Sequence, residues 1–263
     1  MTELSMTDLP PVLFHDRRFI VLDKPAGLPV HRGPRGGASV EDCFPLLSRR
    51  KDGPWLVHRL DADTAGCLVV ALRRTALLEA QMAFSGGFVR KTYWAVVHGA
   101  PAETSGTIET KLLRVSTPGG WRMQVDAGGK AAVTDWRLRG RDGAIAWLEL
   151  FPRTGRTHQV RVHCALLGCP VLGDSIYGDG GDGDGGGDRG GGGRGGGDRA
   201  GGGESGGGDG ADAGVRLHLL ARAIELPLQP PVTATAEPPP HMRAALARCG
   251  WDRSAVTNPS GSG

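Results

Sequence analysis

The chain has 263 residues, enough for one large domain or two small ones with a sizeable core. Charged residues make up 22% and hydrophobic residues 39%, which excludes a chain that is disordered throughout. The longest apolar runs, such as residues 67–72, are too short to span a bilayer, and no basic start followed by an apolar stretch marks a secretory signal. These features predict a cytoplasmic protein with no membrane partner.

The formal charge of +3 hides an asymmetry. Residues 178–214 hold eight acidic residues and three arginines, so the rest of the chain carries a net +8. A distinctly basic body suits a polyanionic partner. The five cysteines, Cys43, Cys67, Cys164, Cys169 and Cys249, are odd in number and contain no CxxC pair, which predicts reduced, mostly buried thiols. The grouping of His163, Cys164 and Cys169 matches no zinc spacing, so no metal site is expected.

In chain order, residues 1–11 read as a flexible leader, and structure starts at Val12. Phe19-Ile20-Val21-Leu22 reads as a buried strand that ends in the turn Asp23-Lys24-Pro25-Ala26-Gly27. Ser39 is placed to cap a short helix running toward Pro45. Residues 55–60 and 67–72 read as strands, and residues 75–84 as a helix with Leu78 and Met82 on one face. Further strands are predicted over residues 92–98, 107–112, 131–138 and 144–151. Residues 156–167 read as a helix. Val160, Cys164 and Leu167 fall on one side, Val162 and Leu166 widen the apolar face, and Thr157, His158 and Arg161 form a polar stripe that should line something.

Residues 178–214 contain 22 of the 44 glycines and too little apolar surface to offset their ordering entropy. They read as a disordered, solvated insertion within the domain, because strand-like sequence resumes over residues 215–226. Residues 227–240 are proline-rich, residues 242–249 read as a short helix, and a tail follows. The class is mixed α+β with many strands and few helices. No GxGxxG loop opening a helix and no GxxxxGK[ST] loop is present, so nucleotide-cofactor folds are not supported.

Three segments carry possible chemistry. The first is HRLDADTAG, residues 58–66, lying between two predicted strands. An acidic residue in a glycine-bearing turn is often only a turn former. The second is KTYWAVVHG, residues 91–99, holding one of the two tyrosines of the chain; a strand tyrosine is commonly packed core. The third is GRTHQVRVH, residues 155–163, followed by GCPVLGDSIYG, residues 168–178. So many polar groups beside a buried helix are costly unless they are paired or bind a ligand.

Together these strings resemble the RluA family of RNA pseudouridine synthases. HRLDADTAG is similar to the family's HRLDxxTSG motif, GRTHQVRVH to its GRTHQIRVH, and KTYWAVVHG to its K.Y.A.V.G strand. VLDKPAGLPVH matches the family's DKPAGL.VH segment, and RLHLLA, residues 216–221, is a weaker echo of its LHA.L strand. The resemblance covers residues 12–228, broken by the glycine-rich tract. Two departures stand out: Ala65 replaces the usual serine of TSG, and the insertion after Gly178 is foreign to the family.

The resemblance implies the pseudouridine synthase fold: a mixed, mainly antiparallel central sheet with a few flanking helices and a catalytic cleft across it. Residues 12–228 would form the catalytic domain, interrupted by 178–214, with 229–263 as a proline-rich segment, short helix and tail. It implies cofactor-free, metal-free isomerisation of uridines in structured RNA, ribosomal or transfer RNA, by a monomer. The family's larger members carry an extra N-terminal RNA-binding domain, which this chain, with 11 residues before Val12, is expected to lack.

The resemblance puts the nucleophile on Asp61, with Asp63 left to a structural part. A carboxylate needs no separate base to act as a nucleophile at neutral pH. Tyr93 would stack on the flipped uracil and assist loss of the C5 proton, and Arg161 would pair with Asp61. Arg59, with His58 beside it, would fill the space left by the flipped base. Lys24, Arg156, Thr157 and His158 would contact phosphate or line the pocket. Two other readings stay open: a non-catalytic RNA-binding protein on the same fold, with Asp61 dispensable, and an unrelated hydrolase using Asp61 and a histidine. The chain has no serine or cysteine nucleophile elbow and no HExxH to favour the latter.

Overall fold

The computed structural model describes residues 9–33, 36–50, 52–117, 120–178 and 215–253. Most of the predicted leader, nearly all of the glycine-rich tract and the end of the tail lie outside the described residues.

Among the described residues, eleven strands form one sheet. In chain order they are β1 Val12–His15, β2 Phe19–Lys24, β3 Trp55–Leu56, β4 Ala65–Ala71, β5 Arg90–His98, β6 Ser105–Thr117, β7 Gly120–Val125, β8 Lys130–Asp142, β9 Ile145–Pro152, β10 Leu219–Leu226 and β11 Val232–Thr235. The spatial order is β1-β2-β4-β10-β5-β9-β8-β6-β7, with β11 beside β10 and β3 beside β4. Every pairing is antiparallel except that of β10 with β4. The helices are α1 Phe44–Leu47, α2 Arg74–Ser85, α3 Gln159–Leu166 and α4 Pro240–Arg248. The mixed, mainly antiparallel sheet with few helices agrees with the sequence.

The centre of the sheet is covered on both faces, as its uninterrupted apolar strands require. In β2 and β4, Phe19, Val21, Cys67 and Val69 point into one core with α2 and α4. Their neighbours Ile20, Leu22, Leu68 and Val70 point into the other. On that second face, α3 sets Val160 and Cys164 against Ala95, Leu148 and Leu150. All five cysteines are free and buried. Among the described residues no helix is long and apolar enough to cross a membrane.

Three expectations need correction. The apolar face assigned to α2 is turned outward: Leu78 and Met82 are exposed, the latter 73%, and the buried stripe is Ala76, Ala80 and Ala83. Small side chains let this helix lie close on the sheet. Residues 229–253 are no appendage, since Val232, Met242, Leu246 and Trp251 complete the first core. The strand predicted over residues 55–60 stops at Leu56, and β7 was not predicted at all.

α3 also buries His163 completely, and neither ring nitrogen has a hydrogen-bond partner. Burial pushes its pKa down to about 4, against about 6.5 for an unfolded histidine. The unfolded chain therefore takes up the proton first. The stability this neutral ring permits is complete above pH 6.5 and is lost as pH falls toward 4. His163→Leu should preserve stability at pH 7.5 and gain a further advantage of about 2 kcal/mol at pH 5. Urea unfolding at the two pH values checks this; an identical pH dependence in both proteins would contradict it.

Candidate active site

Asp61 lies in the turn between β3 and β4. β4 starts beside β10, pairing Ala65 with Leu220 and Gly66 with Ala221. Ala221 in turn pairs with Tyr93 on β5. This register brings the Asp61 turn and Tyr93 to the same stretch of sheet. Gly66 permits it: its φ is 106°, and a Cβ there would collide with the Ala221 carbonyl.

Lys24 supports the turn from within. It is fully buried, and its ammonium donates to the carbonyls of Pro25 at 2.9 Å, Leu28 at 2.8 Å and Ala62 at 2.7 Å. Burial lowers its pKa to about 8, opposed by the charges of Asp63 and Asp61. With all three donors spent inside the protein, Lys24 cannot be the RNA contact expected of it. Asp63 is exposed, and its charge acts on Lys24.

Arg161 projects from α3. Its tight partner is Asp174: Nε donates to Oδ2 at 2.7 Å and Nη2 to Oδ1 at 2.6 Å. The two side chains are 5% and 0% exposed. Arg161 Nη1 also lies 3.5 Å from Asp61 Oδ2, so the expected pairing exists as the weaker of two. Burial raises the Asp174 pKa, but the bonds from Arg161 and from the N–H groups of Ile176 and Tyr177 outweigh it and hold it below 3.8.

His158 does not belong to the helix it was assigned to. It precedes α3 as the N-cap with φ 52°, a left-handed conformation uncommon outside glycine. The kink turns the imidazole inward. Its side chain is 8% exposed, Nε2 lies 3.8 Å from Asp61 Oδ2, and Nδ1 lies 3.0 Å from the Tyr177 hydroxyl. Its ring stacks on Trp121 of β7 with centroids 4.9 Å apart, and Arg114 of β6 lies 4.4 Å over the same indole. His158 thus lines the cleft with its Nε2 directed at Asp61.

His58 is also packed. It stacks on Phe84, and its Nε2 accepts the Val69 N–H at 3.1 Å. Burial, then the charge of Lys91, push its pKa down to about 4. A neutral ring offers no charge to a phosphate, so its place is in the pocket wall. Gln159 is satisfied within the fold, donating to Val133 and Thr134 and accepting from Thr154 and the Arg156 N–H. Tyr93 is half-buried, and burial followed by the charge of Asp61 keeps its phenol protonated. Lys91 donates to the Thr154 carbonyl at 2.8 Å, and burial lowers its pKa to about 8.

These groups line a cleft of about 990 Å³, at the upper end of small-ligand pockets. Asp61, Tyr93, Lys91, His158 and Arg161 line it, and exposed Arg59, Arg114, Arg156 and Thr157 mark its rim. Arg114, Trp121, Lys91 and Asp174 belong to this site although no role for them is legible in the sequence. Among the described residues no three His, Cys, Asp or Glu side chains are grouped to hold a metal ion.

Fold and cleft together define an enzyme-like site with one carboxylate facing a nucleotide-sized space. Residues 18–166 match the model of the RNA pseudouridylate synthase family. The chain belongs to that family, and its motifs are those of the RluA type. A Zymomonas mobilis protein named as an uncharacterized RNA pseudouridine synthase is 43% identical over 160 residues, 59% of this chain and 71% of the relative. The ribosomal large subunit pseudouridine synthase C of Buchnera aphidicola from Acyrthosiphon pisum is 32% identical over 153 residues, 58% of this chain. The match spans about half of that relative, 49% of its length. The structure of human RNA pseudouridylate synthase domain containing 4 superposes with a TM-score of 0.68 at 25% identity, covering 91% of this chain and 92% of that one.

Proposed function

We propose that this chain isomerises uridine in RNA to pseudouridine, with Asp61 as nucleophile on a uridine flipped into the cleft. The observation that carries this reading is the Asp61 carboxylate, 25% exposed, open to the cleft on one side and flanked by Arg161 and His158 on the other. The reaction breaks the N1–C1′ bond, forms C5–C1′, removes the C5 proton and returns a proton to N1. Atoms balance within substrate and product, so no co-reactant is required. Asp61 can serve by attacking C6 or C1′, or by removing the proton at C2′; all three place its carboxylate against the flipped nucleotide.

Flipping costs a few kcal/mol of unstacking. Arg59, exposed two residues before Asp61, would fill the vacated stack. Arg59, Arg114, Arg156 and Thr157 form the rim that meets the RNA backbone. Tyr93 packs against the base. Its protonated phenol makes it a poor resting base, so its service at C5 follows a change in the charge beside it. Tyr93→Phe should bind RNA with unchanged affinity and turn over about 10²-fold more slowly. Filter binding and single-turnover rates separate the two effects.

Relatives named for the large ribosomal subunit make ribosomal RNA the first substrate to test. Unmodified ribosomal and transfer RNA are incubated with the protein without cofactor, and new pseudouridines are mapped as carbodiimide-dependent reverse-transcription stops. A discrete stop supports the enzyme. Tight binding with no stop on either RNA would favour the non-catalytic reading.

A further inference from the structure

Asp61 is held through one oxygen. Arg161 Nη1 at 3.5 Å and His158 Nε2 at 3.8 Å both approach Oδ2. Both partners are fixed by one short segment, residues 174–177. Asp174 grips Arg161, and Tyr177, three residues on, meets His158. The segment is closed on itself, because Asp174 Oδ1 accepts the N–H groups of Ile176 at 3.0 Å and Tyr177 at 3.1 Å.

The next link favours one tautomer of His158. The Tyr177 oxygen accepts the Met123 N–H at 3.0 Å, so its own proton is free to donate to His158 Nδ1, 3.0 Å away. An imidazole that accepts at Nδ1 carries its single proton on Nε2. That proton points at Asp61. Burial favours the neutral ring. The left-handed backbone at His158 is strain of the kind that survives only where surrounding contacts fix it.

We propose that His158 is a positioning residue for Asp61: its Nε2–H, fixed by Tyr177, anchors Oδ2 and leaves Oδ1 as the oxygen that meets the substrate. The inference rests on Asp61 being the nucleophile. At 3.8 Å the contact is loose, as catalytic hydrogen bonds often are before substrate closes the site. When Oδ1 bonds to carbon, Oδ2 becomes the carbonyl oxygen of the resulting ester. No proton leaves His158, and a donor held on Oδ2 keeps the carboxylate aligned as it forms and leaves that bond.

Two substitutions separate the two ends of the ring. His158→Asn keeps a residue tolerant of left-handed backbone and places an amide near the Nδ1 position, but loses the reach to Asp61. His158→Gln places its amide nitrogen near the Nε2 position and loses the link to Tyr177. Each is measured by melting temperature, by affinity and by single-turnover rate at saturating concentration, on the RNA that the native protein modifies. His158→Asn should keep RNA affinity and slow the chemical step about 10- to 100-fold, the scale of a misplaced reacting group. His158→Gln should recover most of that loss. A His158→Asn protein as fast as native, or two variants equally slow, would overturn the proposal. Asp61→Asn is the control: if it still turns over, the nucleophile reading itself fails, whereas an inactive Asp61→Asn beside a native-like His158→Asn removes the positioning role alone.

Discussion

Asp61→Asn is expected to leave the fold and RNA affinity intact and to reduce pseudouridine formation by about 10³-fold or more, the scale of losing a nucleophile. The structure says why the fold should survive. A buried guanidinium that loses its only carboxylate is strongly destabilised, but Arg161 keeps both bonds to Asp174 when Asp61 becomes neutral. The amide has nearly the shape of the carboxylate, and the Lys24 ammonium that supports the turn is bonded to backbone carbonyls and not to Asp61. Melting temperature and RNA affinity should therefore stay close to native while the carbodiimide stop disappears. Asp63→Asn is the matched comparison. It removes the same charge two residues away from an exposed side chain, and should change the rate by no more than about twofold, as surface substitutions do. Equal damage from both would show that the turn, and not the Asp61 carboxylate, is what matters.

The legible parts of this protein are those whose signal is local. β2 and β4 are apolar at nearly every position and read as buried strands, and the Asp61 turn sits between strands as expected. The class of sheet followed from those strands and the scarcity of helical pattern. What escaped depends on partners distant in sequence. Lys24 looks like any basic loop residue; only the fold shows three carbonyls closing around its ammonium. His158 follows the helical spacing of Arg161, yet one left-handed residue moves it off the helix and against Asp61. β7 has a single buried side chain, Met123, so its alternation is faint, and Trp121 was missed with it. Leu78 and Met82 mimic a core stripe while alanines form the actual one, because periodicity marks a face without saying which way it points. Asp174 was visible in the GDSIYG string, but no local rule reveals that its partner is an arginine 13 residues earlier.

Removing that carboxylate should have the largest effect on stability. Asp174→Asn leaves the Arg161 guanidinium 5% exposed with, among the described residues, no ion-pair partner except Asp61 at 3.5 Å, a situation that typically costs 3–5 kcal/mol, so a loss of about that size is expected. Activity should fall further than the folded fraction does. Freed from Asp174, Arg161 can turn its donors onto Asp61, and a carboxylate locked in a tight ion pair is a poorer nucleophile. Arg161→Met alone should be similarly costly, since it strands Asp174, whose side chain is fully buried. The double substitution Asp174→Asn with Arg161→Met removes both charges, and replacing a buried pair with neutral groups is often close to neutral. It should therefore recover much of the stability lost by either single change while remaining slow. A thermodynamic cycle in urea measures the coupling directly, and residues in one ion pair couple by about 0.5–3 kcal/mol. If the two losses simply add, Asp174 and Arg161 are independent packing residues. If the double variant regains both stability and turnover, the pair holds the fold together without setting the charge around Asp61.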